Sequence, residues 1–185
     1  MAITESSITL NFPDNNYFRF QDCKGYKDIQ DNFKEMDACW YEQASDTLFI
    51  IELKNWGDGN LIEETNSKYS EQKIKEMKQG ITKARIYTLV KKSIDSVFMF
   101  MSLLLEKPYS SNIKPCLPSD FHLTKTTKIK LLSIVNWTNP DVTYISNIHS
   151  EYKARFKPYA KLLGIQSYIV LTKDQARQTF DWITL

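Results

Sequence analysis

KEMDACWYEQASDTLFIIELKNW, residues 34–56, is the stretch on which the fold turns. Two runs of strand-forming residues flank a short polar break, Gln43–Asp46, yet Asp37, Glu52 and Lys54 sit among Trp40, Phe49, Ile50, Ile51 and Leu53. If the break is a hairpin loop, Glu42 faces Thr47 and paired positions sum to 89. That register sets Asp37 opposite Glu52 and Glu35 opposite Lys54. Side chains alternate along a strand and opposed residues share a face, so all four project together, with paired Cβ atoms about 5 Å apart. Ile51 and Leu53 then point the other way, towards a helix-covered core.

Opposed carboxylates repel across a sheet. In a low-dielectric setting one of them must take up a proton unless a cation lies between them. Oxygen ligands without His or Cys favour Mg²⁺ or Mn²⁺ over Zn²⁺. Lys54, one pleat from Glu52, would stand beside such an ion, where an ammonium can orient a water or steady charge developing on a phosphoryl group. The alternative is a charged ladder on an exposed face, Glu35 against Lys54 with Asp37 unpaired. Against it, Glu52 and Lys54 end a nearly unbroken apolar run, LFIIELK, where a solvated face would alternate along its length. Trp40, Tyr41 and Trp56 also gather on the same hairpin.

Outward from the hairpin, SITLNF and NYFRFQD are expected as strands and NWGDGN as a turn. From about Glu63 to Glu106 the pattern is helical, with Ile74, Met77, Ile81, Ala84 and Thr88 recurring every three or four residues. This span is expected to divide near KKSID, with Ser93 capping the apolar second piece. SVFMFMSLLL lacks a polar stripe and is expected to be buried in the subunit or against a second copy. KPYSSNIKPCLPSD is a loop and KIKLLSIVNW (128–137) a central strand. DVTYISNIHSEYKARFKPYAKLLG is a helix interrupted or kinked near Pro158 and closed by Gly164. QSYIVLT is a last strand, with Thr172 capping a short helix. Strands, long helix, strand, helix, strand make an α/β fold with a central mixed sheet flanked by helices. Strand 128–137 can run parallel to 48–56 because a long helical crossover separates them.

A chain of 185 residues, 42% hydrophobic and 25% charged, is read as one domain, 1–185, with a real core rather than a disordered chain. Its most apolar window spans about ten residues, whereas a membrane helix needs roughly twenty. The start shows no secretion signal, and the odd set Cys23, Cys39 and Cys116 encodes neither a disulfide framework nor a cysteine zinc site. A reducing cytoplasm is expected, with no membrane. Residues 1–60 hold five Lys/Arg against eleven Asp/Glu, and residues 61–185 nineteen against eleven. An acidic front with a basic remainder suits carboxylates that gather cations and a second surface that meets phosphates; an uneven scatter of solvated charge is the other reading.

An Asp on one strand, a turn, an apolar strand ending in Glu52-Leu53-Lys54 and a long helix together resemble the PD-(D/E)XK nuclease superfamily. Met36 stands where the motif's proline would be. The resemblance implies a restriction-endonuclease-like fold and Mg²⁺-dependent hydrolysis of nucleic-acid phosphodiesters, DNA above all, as in restriction, repair or mobile-element systems. It implies that Asp37 and Glu52 bind the metal, that the Leu53 carbonyl adds a ligand, and that Lys54 positions the attacking water. Glu35 and Glu5 are the candidates for a further acid. The competing class is a non-catalytic nucleic-acid-binding or assembly module that keeps the same fold.

Lys75, Gln79 and Lys83 on the long helix are candidates to meet a nucleic-acid backbone, as are Gln72, Lys68 and Arg85; a solvated helix face is the alternative. Lys153 and Arg155, interleaved with Tyr152 and Phe156, are further candidates, with packing aromatics and solvated cations as the other reading. His122 and His149 are isolated, and no glycine loop for nucleotides occurs.

Overall fold

Two sheets pack back to back around the quoted hairpin. The computed structural model describes residues 2–56, 69–137 and 142–184. In chain order, β1 (Ala2–Glu5) and β2 (Ile8–Asn11) form a first hairpin, followed by the two-residue strand β3 (Tyr17–Phe18) and the one-turn helix α1 (Lys24–Lys27). The second hairpin is β4 (Ala38–Glu42) and β5 (Thr47–Asn55), leading to the long helix α2 (Glu71–Leu104). Then come β6 (Lys128–Asn136), α3 (Val142–Leu163), β7 (Ser167–Thr172), α4 (Lys173–Thr179) and β8 (Ile183–Thr184). The larger sheet has the order β3-β4-β5-β6-β7 and the smaller one β1-β2-β8.

Hairpin β4–β5 pairs from Ala38 with Ile51 to Glu42 with Thr47, the 89-sum register. Its turn is closed by Asp46 in the left-handed region at φ 48°, a conformation that a short polar side chain tolerates. The Asp46 carboxylate accepts hydrogen bonds from Tyr41 Oη at 3.1 Å and Thr127 Oγ1 at 2.8 Å, which ties the turn to the entry of β6. β5 runs antiparallel to β4 and parallel to β6, and β7 is parallel to β6, so the sheet is mixed.

Each face of this sheet carries a core of its own. Leu48, Ile50, Leu131, Val135 and Val170 face α2 and α3, where Ile86, Leu89, Phe100, Ile148, Tyr152 and Phe156 meet them. Ile51, Leu53, Leu132 and Ile134 face the small sheet and α4, against Ile8, Leu10, Ile183 and Ala176. The expectation that Ile51 and Leu53 point at a helix-covered core is therefore corrected in part: α4 is one part of their cover and the small sheet the other. The two long helices, α2 and α3, cover the charged face, and β1 and β8, which have little strand signal of their own, help α4 to close the other side.

Four further expectations change. α2 is one continuous helix through KKSID, capped at its start by the Ser70 hydroxyl on Lys73 N–H. Ser93 is buried mid-helix with its hydroxyl 2.8 Å from Tyr152 Oη, a tertiary partner that removes any need to cap. NYFRFQD yields only β3 before a 3₁₀ turn at Phe20–Asp22, and α3 runs unbroken past Pro158 to Gly164, at φ 65°. In SVFMFMSLLL, Val97, Met99, Phe100 and Leu103 are buried, but Phe98 and Leu105 are 55% and 58% exposed on the outward side. The turn expected at 57–60, the helix start expected near Glu63, and Lys68 lie outside the described residues. Thr172 does cap α4, in a reciprocal capping box with Gln175.

Candidate functional site

β4 leaves the ladder at Ala38, and Asp37 takes over the edge of β5 with its side chain. Leu53 N–H donates to Asp37 Oδ2 at 2.7 Å, while the Leu53 carbonyl on the same edge accepts from the Ser6 hydroxyl at 3.3 Å. Asp37's own carbonyl accepts from Arg19 Nε at 2.9 Å, and Arg19 also holds Glu5 at 2.5 Å. The tip of the first hairpin thus braces the end of the second.

Helix α2 fixes the approach to Asp37. Lys34 N–H donates to Asp95 at 2.8 Å and Met36 N–H to the Ser96 hydroxyl at 2.8 Å, so two side chains supply the acceptors that a neighbouring strand would have offered. From the same turn, Lys92 reaches between the two acids. Its Nζ lies 2.8 Å from Glu52 Oε1, 2.9 Å from Oε2 and 3.3 Å from Asp37 Oδ1. Lys54 Nζ lies 2.6 Å from Glu52 Oε1. Asp37, Glu52 and Lys54 therefore share the helix-side face of the sheet.

This is not an exposed charge ladder. Glu52 is fully buried, Asp37 is buried, and the Lys54 side chain is 27% exposed. Burial, reinforced by the Asp37 charge, pushes the Glu52 carboxyl up to about 7, against the opposing pull of Lys92 and Lys54. Burial works to lower the Lys92 ammonium, but Glu52 and Asp37 outweigh it and hold its pKa raised. Tyr152, packed beneath, is raised mainly by burial.

Glu52 Oε1 is held in two ion pairs, with the Lys54 and Lys92 ammonium nitrogens at 2.6 and 2.8 Å. Among the described residues, Ser133 Oγ, directly across the β5–β6 ladder from Glu52, is buried without a hydrogen-bond partner. Among the described residues no group of three or more His, Cys, Asp and Glu is gathered for a metal. Two carboxylates and the Leu53 carbonyl nevertheless make an all-oxygen donor set. Such a set has the chemistry of a Mg²⁺ or Mn²⁺ site, in which the ion keeps several waters, while Glu52 Oε1 is ion-paired to both lysines. The residues fit a hard divalent ion in chemistry, with Lys92 now neutralising the pair.

The remaining candidates fall elsewhere. Glu35 makes no ion pair with Lys54, because the ladder ends three residues later; its N–H instead faces Tyr26 Oη at 3.4 Å. Glu5 reaches the site only through Arg19. Lys75, Gln79 and Lys83 are exposed along the first turns of α2. Lys153 lies 6.0 Å from the Tyr168 ring and Arg155 pairs with Glu151 at 3.6 Å, both on the outer side of α3. Cavities of about 620 and about 470 Å³ lie away from the acids, one beside Trp40 and Pro13, the other beyond the end of α2.

Lys92 is the residue that the motif does not reveal. Its signal is positional: three residues after Leu89 and four before Ser96, it shares α2's buried side, where a lysine demands a carboxylate. Comparison of the chain with family models, curated proteins and solved structures returns no match. The chemistry of the site thus rests on the geometry described above.

Proposed function

We propose that this chain is a Mg²⁺- or Mn²⁺-dependent phosphodiesterase that cleaves DNA, with a restriction-endonuclease-like arrangement of the PD-(D/E)XK kind. One observation carries the reading. Two buried carboxylates on adjoining chain segments converge on a single cation, with a second ammonium at 2.6 Å, near the carboxyl end of a central strand. Ligands of open α/β sheets bind at such strand ends.

Asp37, Glu52 and the Leu53 carbonyl would hold the ion. A bound divalent ion supplies Lewis acidity at a phosphoryl oxygen and acidifies water. Lys54, the more exposed lysine, orients the nucleophile and offsets negative charge growing on the phosphoryl group. Ser6 and Arg19 hold the Leu53 and Asp37 backbones in place, and α2 keeps the Asp37 segment from fraying.

A second reading, a non-catalytic nucleic-acid-binding module, is favoured by one fact: Lys92 already balances the acid pair without a metal. The experiment is plasmid nicking with Mn²⁺ or with chelator, beside calorimetric titration with Mn²⁺. Glu52→Gln should weaken both metal binding and cleavage. Lys54→Ala should keep metal binding and lower the cleavage rate by roughly 10²–10³-fold. Equal nicking by wild type and Lys54→Ala removes Lys54 from the mechanism. Wild-type protein that binds DNA equally in chelator and takes up no Mn²⁺ overturns the enzyme reading in favour of the module.

A further inference from the structure

Seven residues before Lys92, two turns up the same side of α2, stands Arg85. Its guanidinium carbon lies 4.8 Å from the centre of the Trp56 ring, 5.7 Å from Tyr144 and 6.0 Å from Trp137. Trp137 and Tyr144 stack on each other at 4.8 Å and 19°. Trp56 follows the last residue of β5 and Trp137 the last residue of β6, and Trp56 N–H donates to the Asn136 carbonyl at 3.1 Å. The aromatic box thus sits at the carboxyl ends of the two central parallel strands, and β5 itself climbs from Glu52 through Lys54 to Trp56.

Arg85 is half-buried, and among the described residues its side chain meets a tyrosine hydroxyl and three rings but no carboxylate. Its one described hydrogen bond runs from Nη1 to Tyr144 Oη at 3.0 Å. Ring contacts occupy the faces of a guanidinium and leave its in-plane N–H fork for an anion. A tie between α2 and α3 needs no charge at this point, since Thr82 already hydrogen-bonds Tyr144 at 3.2 Å.

We propose that Arg85, held by Trp56, Tyr144 and Trp137, is the anchor for a backbone phosphate of the nucleic-acid strand whose scissile bond lies at the acid pair. Two helical turns rise about 10 Å, and four strand residues span about 13 Å. At the ~3.4 Å axial rise per nucleotide of one stacked strand, the anchored phosphate is about three to four nucleotides from the acids. The box sets the strand's path into the site, and a bidentate guanidinium–phosphate contact sets its register.

This inference rests on the nucleic-acid reading above, and its test separates the two. Affinity for a fluorescent DNA oligonucleotide is measured in chelator over a range of salt, for wild type, Arg85→Met and Arg85→Gln, with thermal unfolding of each. The methionine keeps the packing and removes the charge; the glutamine serves if the methionine variant does not fold. The expected result is affinity roughly tenfold or more weaker and a log–log salt slope shallower by about 1, the mark of one lost phosphate contact. A purely structural role lowers the unfolding temperature and leaves the slope unchanged. A folded variant with wild-type affinity and slope overturns the anchor while leaving the nucleic-acid reading standing. Wild-type protein that binds no DNA at any salt overturns both.

Discussion

Replacing Lys92 with methionine is the sharpest probe of how this molecule holds its acid pair. Methionine keeps the length and apolar stem of the side chain but deletes the ammonium that lies within 3.3 Å of both carboxylates. Removing one partner of a buried ion pair costs about 3–5 kcal/mol, because the other charge stays buried and uncompensated. Lys54 remains 2.6 Å from Glu52, so the lower end applies, about 3 kcal/mol. For a chain of this size, roughly 2–4 °C accompanies each kcal/mol, giving a fall in Tm of roughly 6–12 °C at pH 8. The loss should be smaller at pH 5. With its carboxyl pushed up to about 7, Glu52 is then largely neutral in the folded wild type, and Lys92 has less charge to balance. Added Mn²⁺ should restore stability to Lys92→Met more than to wild type, by up to about 2.7 kcal/mol at a hundredfold excess over its Kd. Thermal unfolding at pH 5 and pH 8, with and without Mn²⁺, measures all of this. A variant as stable as wild type at both pH values would refute the buried ion-pair account.

Glu52 also makes the wild type's own stability pH-dependent. Its folded pKa lies above its ordinary value of 4.5, so its contribution is fully present below about 4.5 and is lost as pH rises through about 7. The unfolding free energy of wild type minus that of Glu52→Gln should therefore fall by about 3 kcal/mol between pH 4.5 and pH 8, read from urea titrations. A flat difference would contradict the raised pKa. At the far side of the helical core, a Cβ added to Gly25 would lie 2.4 Å from the Asn112 carbonyl oxygen, a backbone atom that cannot swing aside. Gly25→Ala should cost about 1–3 kcal/mol in the same assay, and an unaltered denaturation midpoint would show that the 3₁₀ turn at Pro108–Asn112 yields freely.

Hairpin β4–β5 was legible in residues 34–56 because its determinants are local. A two-residue alternation, a four-residue polar break and Asp46's tolerance of the left-handed region fix which residues oppose one another. A slip by one would bury Lys54's neighbours on the wrong face. The parallel pairing of β5 with β6 and the Thr172 cap follow for the same reason, since crossover length and capping chemistry are written in contiguous residues. Which layer covers which face was not so written. Ile51 and Leu53 ask only for apolar cover, and both a helix and the β1-β2-β8 sheet supply it. KKSID carries local signals for a helix break, yet tertiary partners override them. Ser93 finds Tyr152, Asp95 and Ser96 find the backbone of residues 34–36, and Lys92 finds two carboxylates, the nearer in sequence 40 residues away. The amino-acid order by itself determined that two acids and a lysine would share one face of a hairpin. Only the tertiary structure decided that this face would be buried, because desolvation and ion pairing depend on what a distant helix brings to it.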